Sequence, residues 1–229
     1  MTTQELALRR SIVEACLWMN SSGLNQGTSG NISVRHDGTM LISPSGVPYE
    51  QLEPDDIVAM PLEGEYGSYQ AKGNNIPSSE WRFHLDIMRA RPDVGAIVHT
   101  HSLYATTLAI CRKEIPACHY MIAASGGPNI RCAGYATYGT KELSILALEA
   151  LKDRTCCLLA NHGMIATGAN VPKAMWLAVE LETIAKQYYL SLAIGGPVLL
   201  PEAEIENVKE RFKSYGLQSK EAMAVAPDA

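Results

Sequence analysis

Gly95-Ala-Ile-Val-His-Thr-His101 is an apolar strand that ends in two histidines. It follows Pro92-Asp93, which closes the helix before it. Residues i and i+2 of a strand share a face, so His99 and His101 project to the same side. Upstream, Pro77-Ser78-Ser79-Glu80 opens a helix running to about Arg91, with Trp81, Leu85 and Met88 on one side and the serines as expected N-cap residues. Further upstream, residues 3–20 read as an amphipathic helix, and 20–31 as a loop rich in Gly, Ser and Asn. A hairpin follows, with Ile32, Val34, Met40 and Ile42 alternating around the Asp37-Gly38 turn, and then a strand from Ile57 to Leu62.

Downstream, a short helix is expected over 102–111 and another over 140–152. The strands Thr155 to Ala160 and Met164 to Thr167 flank the turn Asn161-His162-Gly163. A long helix runs from about Pro172 to Leu192 and a last one over 202–214. No repeat or linker divides the chain, so 1–229 reads as a single domain whose tail, 218–229, has little to fix it.

Hydrophobic residues make up 47% and charged residues 19% of the 229, which excludes a disordered chain. The formal charge of -5 argues against a general nucleic-acid or membrane-surface binder. Cys16, Cys111, Cys118, Cys132, Cys156 and Cys157 form no C-x-x-C pair, which fits a reducing compartment. There is no signal-peptide pattern and no membrane-length apolar run, so a cytoplasmic protein is expected.

A third imidazole, His162, sits in the tight turn between two apolar strands, where a side chain can project from a rigid frame. Three histidines around one cation leave room for a further ligand. Glu80, at the start of its helix, can be that fourth, displaceable ligand and then a general base. Gly27-Thr28-Ser29-Gly30-Asn31, Ser43-Pro44-Ser45-Gly46 and Ser78-Ser79 each combine hydroxyls with backbone N–H groups and can hold an anion together without an arginine. No Walker loop or G-x-G-x-x-G is present. Tyr120, Tyr138 and Tyr215 read, by themselves, as packing tyrosines.

With these residues in view, the chain resembles the class II, zinc-dependent ketose-phosphate aldolase and epimerase family from about residue 5 to 217. The segments that carry the resemblance are GTSGNIS (27–33), SPSGVPYE (43–50), IPSSEWRFH (76–84), AIVHTH (96–101), IPACHYMIAA (115–124), YATYGT (135–140) and LLANHG (158–163). The resemblance implies a three-layer α/β/α subunit with a largely antiparallel central sheet, assembled as a cyclic homotetramer with active sites at subunit interfaces. It implies one Zn²⁺ per subunit on His99, His101 and His162, with Glu80 leaving the metal to handle a proton. Thr28, Asn31, Ser45, Gly46, Ser78 and Ser79 match the phosphate pocket. Tyr120 matches a tyrosine that enters the neighbouring subunit's site, and Tyr138 and Tyr215 match positions near the aldehyde half of the substrate.

The activity implied is reversible cleavage of a ketose 1-phosphate to dihydroxyacetone phosphate and an aldehyde. L-Fuculose 1-phosphate, giving L-lactaldehyde, is the first substrate expected. An aldolase acting on 5-deoxyribulose or 5-methylthioribulose 1-phosphate would keep every residue named. Breaking the C3–C4 bond leaves electrons on C3, and a bound metal is a suitable sink. The other sink, a lysine Schiff base, fits less well, because Lys72, Lys113, Lys141, Lys152 and Lys173 fall in polar settings. Ribulose-phosphate 4-epimerases of the family carry aspartates where this chain has Glu80 and Tyr120, which favours cleavage here. Methylthioribulose-1-phosphate dehydratases resemble it less over 115–124 and 135–140. A non-catalytic scaffold like the adducin head would be expected to have eroded the histidines, and all three are present.

Overall fold

The computed structural model describes residues 1–212. The chain opens with α1 (Thr3–Ser21), whose N-cap Thr2 accepts a hydrogen bond from the backbone N–H of Glu5 at 3.1 Å. The hairpin strands β1 (Asn31–His36) and β2 (Thr39–Ile42) follow, then β3 (Val58–Pro61). Next come α2 (Trp81–Ala90), β4 (Ala96–Thr100) and α3 (Leu103–Ile110). The two-residue β5 (Cys132–Ala133) precedes α4 (Lys141–Ala150), β6 (Cys156–Leu159) and β7 (Gly163–Gly168). The long α5 (Val171–Leu192) and α6 (Glu202–Phe212) complete the described chain.

The strands form one seven-stranded sheet in the order β3-β2-β1-β4-β7-β6-β5. Every pairing is antiparallel except β5 with β6. The strand with the histidines, β4, is therefore central and buried along its whole length. Alternation along it splits the core in two. Ala96 and Val98 pack into a cluster with residues of α1, α3 and α5, whereas Ile97 packs into a second cluster with residues of α2 and α4. The result is a three-layer α/β/α architecture with a largely antiparallel sheet, as the resemblance implied.

The expected helices and strands are all present, with ends shifted by one or two residues. Four short elements have no counterpart in the sequence reading: the 3-10 helices Tyr49–Gln51, Pro54–Asp56 and Tyr120–Ser125, and β5, all too short for periodicity to reveal. The apolar face of α2 also differs. Phe83, His84, Leu85, Ile87 and Met88 are buried, while Trp81 is only half-buried, tilted against Tyr66 with ring centroids 5.3 Å apart.

Candidate active site

The polar cluster forms where three chain reversals meet at one end of the sheet. In the ladder, Asn31 of β1 lies opposite His99 of β4, and His99 lies opposite Ile165 of β7. Directly opposed residues share a face, so Asn31 and His99 both look toward α2. His101 lies just past the end of β4 on that same face. The turn before β7 delivers His162, because Asn161 adopts φ 55°, a left-handed conformation that Asn tolerates.

The turn needs glycine next. A Cβ at Gly163 would stand 2.5 Å from the Thr100 carbonyl oxygen and 2.8 Å from Cδ2 of His101, so the strands could not approach as they do. The loop before β1 is held by Tyr49, whose hydroxyl donates to the Gly30 carbonyl. The start of α3, one residue beyond Ser102, is held by Glu182 of α5. Its carboxylate accepts from the Ser102 hydroxyl and from the N–H groups of Tyr104 and Ala105, each at 2.8 Å.

Glu80 occupies the N-cap position of α2, but its side chain does not cap the helix. The expected serine cap is also modified: Ser78 accepts the Glu80 N–H at 3.3 Å through its hydroxyl and the Trp81 N–H at 2.9 Å through its carbonyl. Released from capping, the Glu80 carboxylate points into the histidines. Its Oε2 lies 3.0 Å from His99 Nε2, and its Oε1 lies 3.0 Å from His162 Nε2. The Nε2 atoms of His99 and His101 are 3.1 Å apart, and the three rings meet edge to face with centroids 4.9–5.0 Å apart.

The donor set fits a divalent metal ion. One ligand atom from each of Glu80, His99, His101 and His162 lies within 4.8 Å of the others, and this is the one such group among the described residues. His99 Nδ1 faces the Met164 carbonyl at 2.9 Å, so Nδ1 carries a proton and Nε2 is the nitrogen that can serve a metal. Glu80 Oε1 is buried beside His162 Nε2, at 3.0 Å, with no other hydrogen-bond partner among the described residues. Burial raises the pKa of Glu80 but is outweighed by the neighbouring His99 and His162, so the carboxyl is held well below the usual range and stays ionised. Burial, reinforced by the neighbouring histidines, lowers His101 to about 4, which keeps its lone pair available.

A cleft of about 320 Å³ opens beside this cluster. Thr28, Asn31, Ser45, Gly46, Ser78 and Ser79, the expected anion-binding residues, all line it, together with Glu80, His101 and His162. No Lys or Arg does, among the described residues. Asn31 has a second role that its motif does not reveal: its Nδ2 donates to Glu80 Oε2 at 3.1 Å. Tyr138 lines the cleft too. Its loop is pinned by Arg82, whose Nε donates to the Gly139 carbonyl at 3.2 Å, and by close contact of Gly139 with the Ser79 carbonyl.

Tyr120 begins the 3-10 helix, is 49% exposed and does not line the cleft of its own chain. Tyr215 lies outside the described residues. The sequence reading missed Tyr135 and Asn161, which also line the cleft, and the buried His84 behind Asn31. His84 stands four residues after Glu80, one helical turn along the same face, and that spacing was the available signal. A larger hollow of about 650 Å³, bordered by Ala123, Lys173, Trp176 and Phe212, contains none of these residues. No described helix is long and apolar enough to cross a membrane.

Comparison with known proteins agrees with this geometry. The chain is 50% identical over 216 residues to a 5-methylthioribulose-1-phosphate/5-deoxyribulose-1-phosphate aldolase of Rhodospirillum rubrum, covering 94% of this chain and 96% of that protein. It is 49% identical to an L-fuculose phosphate aldolase of Escherichia coli, covering 93% and 98% respectively. A solved L-fuculose 1-phosphate aldolase superposes with a TM-score of 0.86 at 39% identity, over 93% of this chain and 98% of that one. The family profile described as Class II Aldolase and Adducin N-terminal domain matches residues 10–189, and the chain belongs to that family.

Proposed function

We propose that this protein is a zinc-dependent, cytoplasmic aldehyde-lyase that reversibly cleaves a ketose 1-phosphate to dihydroxyacetone phosphate and a short aldehyde. One observation carries the reading: a group of three imidazoles and a carboxylate able to hold a metal shares a single cleft with a hydroxyl-lined, cation-free pocket. The first supplies an electron sink and the second an anchor for a phosphate, at the two ends of a small substrate.

In this reading His99, His101, His162 and Glu80 hold Zn²⁺. When bound, the ion supplies Lewis-acid stabilisation of the charge that develops on the ketose oxygens. Thr28, Asn31, Ser45, Gly46, Ser78 and Ser79 hold the phosphate, and this remote contact orients the reacting carbons. Glu80, ionised and with Oε1 held by no group but His162, exchanges the proton at C3. Tyr120 of a neighbouring copy serves the oxygen on C4, and its exposure in a single chain supports a role outside its own cleft. Tyr138, which lines the cleft, is assigned to the aldehyde half, as is Tyr215 by its place in the sequence alone. The assembly consistent with this is a cyclic homotetramer with shared sites.

L-Fuculose 1-phosphate, yielding L-lactaldehyde, is the first substrate proposed. The second, 5-deoxyribulose or 5-methylthioribulose 1-phosphate, is supported by the 50% identity to the Rhodospirillum rubrum protein. The test incubates zinc-loaded protein with dihydroxyacetone phosphate and L-lactaldehyde, methylthioacetaldehyde, acetaldehyde or glycolaldehyde. These aldehydes differ by small groups that a pocket separates by only ~1–3 kcal/mol, so condensation with several of them at graded efficiency is expected. Condensation with none, together with no exchange of the dihydroxyacetone phosphate C3 proton, would overturn the proposal.

A further inference from the structure

A chain of buried polar groups runs behind the metal-site carboxylate. Asn31 and Ser33 lie two apart on the same face of β1, and the ring of His84 reaches from α2 to touch both. His84 Nε2 is 2.5 Å from Asn31 Oδ1, and His84 Nδ1 is 2.7 Å from the Ser33 hydroxyl. The amide nitrogen of Asn31 then donates to Glu80 Oε2 at 3.1 Å. Ser33 and His84 are fully buried, and Asn31 and Glu80 are only 3% and 5% exposed, so water does not compete with these contacts.

The direction of each bond follows from what each atom can do. An amide oxygen only accepts, so His84 Nε2 must carry the proton. Burial, reinforced by the neighbouring His99, lowers His84 to about 3, so the ring is neutral, and its Nδ1 must accept the Ser33 O–H. Turning the Asn31 amide over would set its oxygen against the ionised Glu80, two acceptors facing each other, so the Glu80 contact fixes the amide orientation and with it the Nε2–H tautomer of His84. The ring itself is clamped by stacking on Phe83 at 4.7 Å, and Phe83 in turn meets the edge of His99 at 5.3 Å.

We propose that His84 is a positioning residue, fixing the Asn31 amide so that it grips Glu80 Oε2 and leaves Oε1 on the His162 side of the cluster. The two carboxylate oxygens are thereby made inequivalent. Each faces one imidazole at 3.0 Å, but Oε2 is also tethered to β1 through Asn31, while Oε1 has no such tether. The inference rests on Glu80 being the metal-side carboxylate of the proposed function. It adds a residue that touches neither metal nor substrate, and a polarity running from Ser33 through His84 and Asn31 to Glu80.

Three measurements test it. In the parent chain, ¹⁵N spectroscopy of the histidine rings should find His84 as the Nε2–H tautomer from pH 5 to pH 8, with or without Zn²⁺. H84L, which removes the donor, should weaken Zn²⁺ binding in chelator competition by roughly tenfold or more and lower kcat similarly, with KM changed much less. H84Q, whose amide nitrogen can stand where Nε2 stands, should recover Zn²⁺ affinity to within about threefold of the parent. An Nδ1–H tautomer in the parent overturns the inference. So does an H84L protein with parental Zn²⁺ affinity and kcat, or an H84Q protein as impaired as H84L. Should the variants fail to fold, the parent tautomer decides. An E80Q protein that keeps full C3 proton exchange would remove the reading of Glu80 itself, and this inference with it. An inactive E80Q beside a parental H84L would remove the inference alone.

Discussion

The two halves of the cleft are built in opposite ways. The metal half consists of side chains fixed at the ends of central strands and at a helix start, with Glu80 and His99 buried and each held by a long-range hydrogen bond, Glu80 from Asn31 and the His99 ring at the Met164 carbonyl. The anion half consists of loop segments around Thr28, Ser45 and Ser79, where exposed or half-buried hydroxyls converge without a single cationic side chain among the described residues. The first half concentrates its function in four ligand atoms, and the second spreads it over many weak donors. Loss of one group should therefore be drastic in the metal half and graded in the anion half.

The sharpest break in that comparison is removal of one imidazole. His99→Ala, His101→Ala or His162→Ala should lower kcat/KM by roughly 10³-fold or more, since metal stabilisation contributes several kcal/mol at the transition state. Steady-state kinetics after equilibration with excess Zn²⁺ provides the measurement, and activity within tenfold of the parent would contradict the assigned ligand set. Gly163→Ala tests whether precision and not ligand identity sets the rate. It leaves all four ligands but forces Thr100 and His101 away, and a displacement of about 1 Å should cost roughly 10²-fold in kcat.

In the anion half, Ser45→Ala or Ser79→Ala should raise KM for the ketose phosphate by roughly tenfold while kcat changes less, the loss of one hydrogen bond to a charged group. A kcat collapse in either serine variant would erase the distinction between the halves.

The smallest effect concerns stability and pH. His84 has its folded value lowered to about 3 by burial, from an ordinary 6.5, so the unfolded chain takes up the proton first as pH falls. The stability linked to neutral His84 is complete above about pH 6.5 and is lost progressively toward pH 3, by a few kcal/mol at most. Melting temperatures of chelator-treated protein should fall over that window, and more steeply in the parent than in H84Q. Equal slopes would show that the ring does not carry this linkage.

Much of this was legible locally. His99 and His101 could be set on one face because strand alternation is encoded within three residues, and His162 could be set in a turn because Asn-His-Gly interrupts two apolar runs. The hydroxyl-rich loops that line the cleft were legible because glycine beside hydroxyl residues has a recognisable local chemistry. Asn31 was legible only in part. It was read as a phosphate-pocket residue, whereas its amide also holds Glu80, 49 residues away. His84 was not singled out, because a histidine within an apolar helix face gives no local sign of what lies across the interface. Tyr120 was legible only through its motif, and it does not line its own chain's cleft.

The sequence by itself determined which segments would be helix or strand, which residue types could ligate a cation or an anion, and that the chain would be α/β. Those properties depend on spacings of a few residues and on the chemistry of single side chains. The tertiary structure alone decided that Asn31 would lie opposite His99, that Glu80 would leave its capping role to face three imidazoles, and that His84 would stand behind Asn31. These follow from strand order and ladder register, which join segments 49 to 68 residues apart. Register is set by how the whole sheet buries its two faces, a condition that no short stretch of the chain contains.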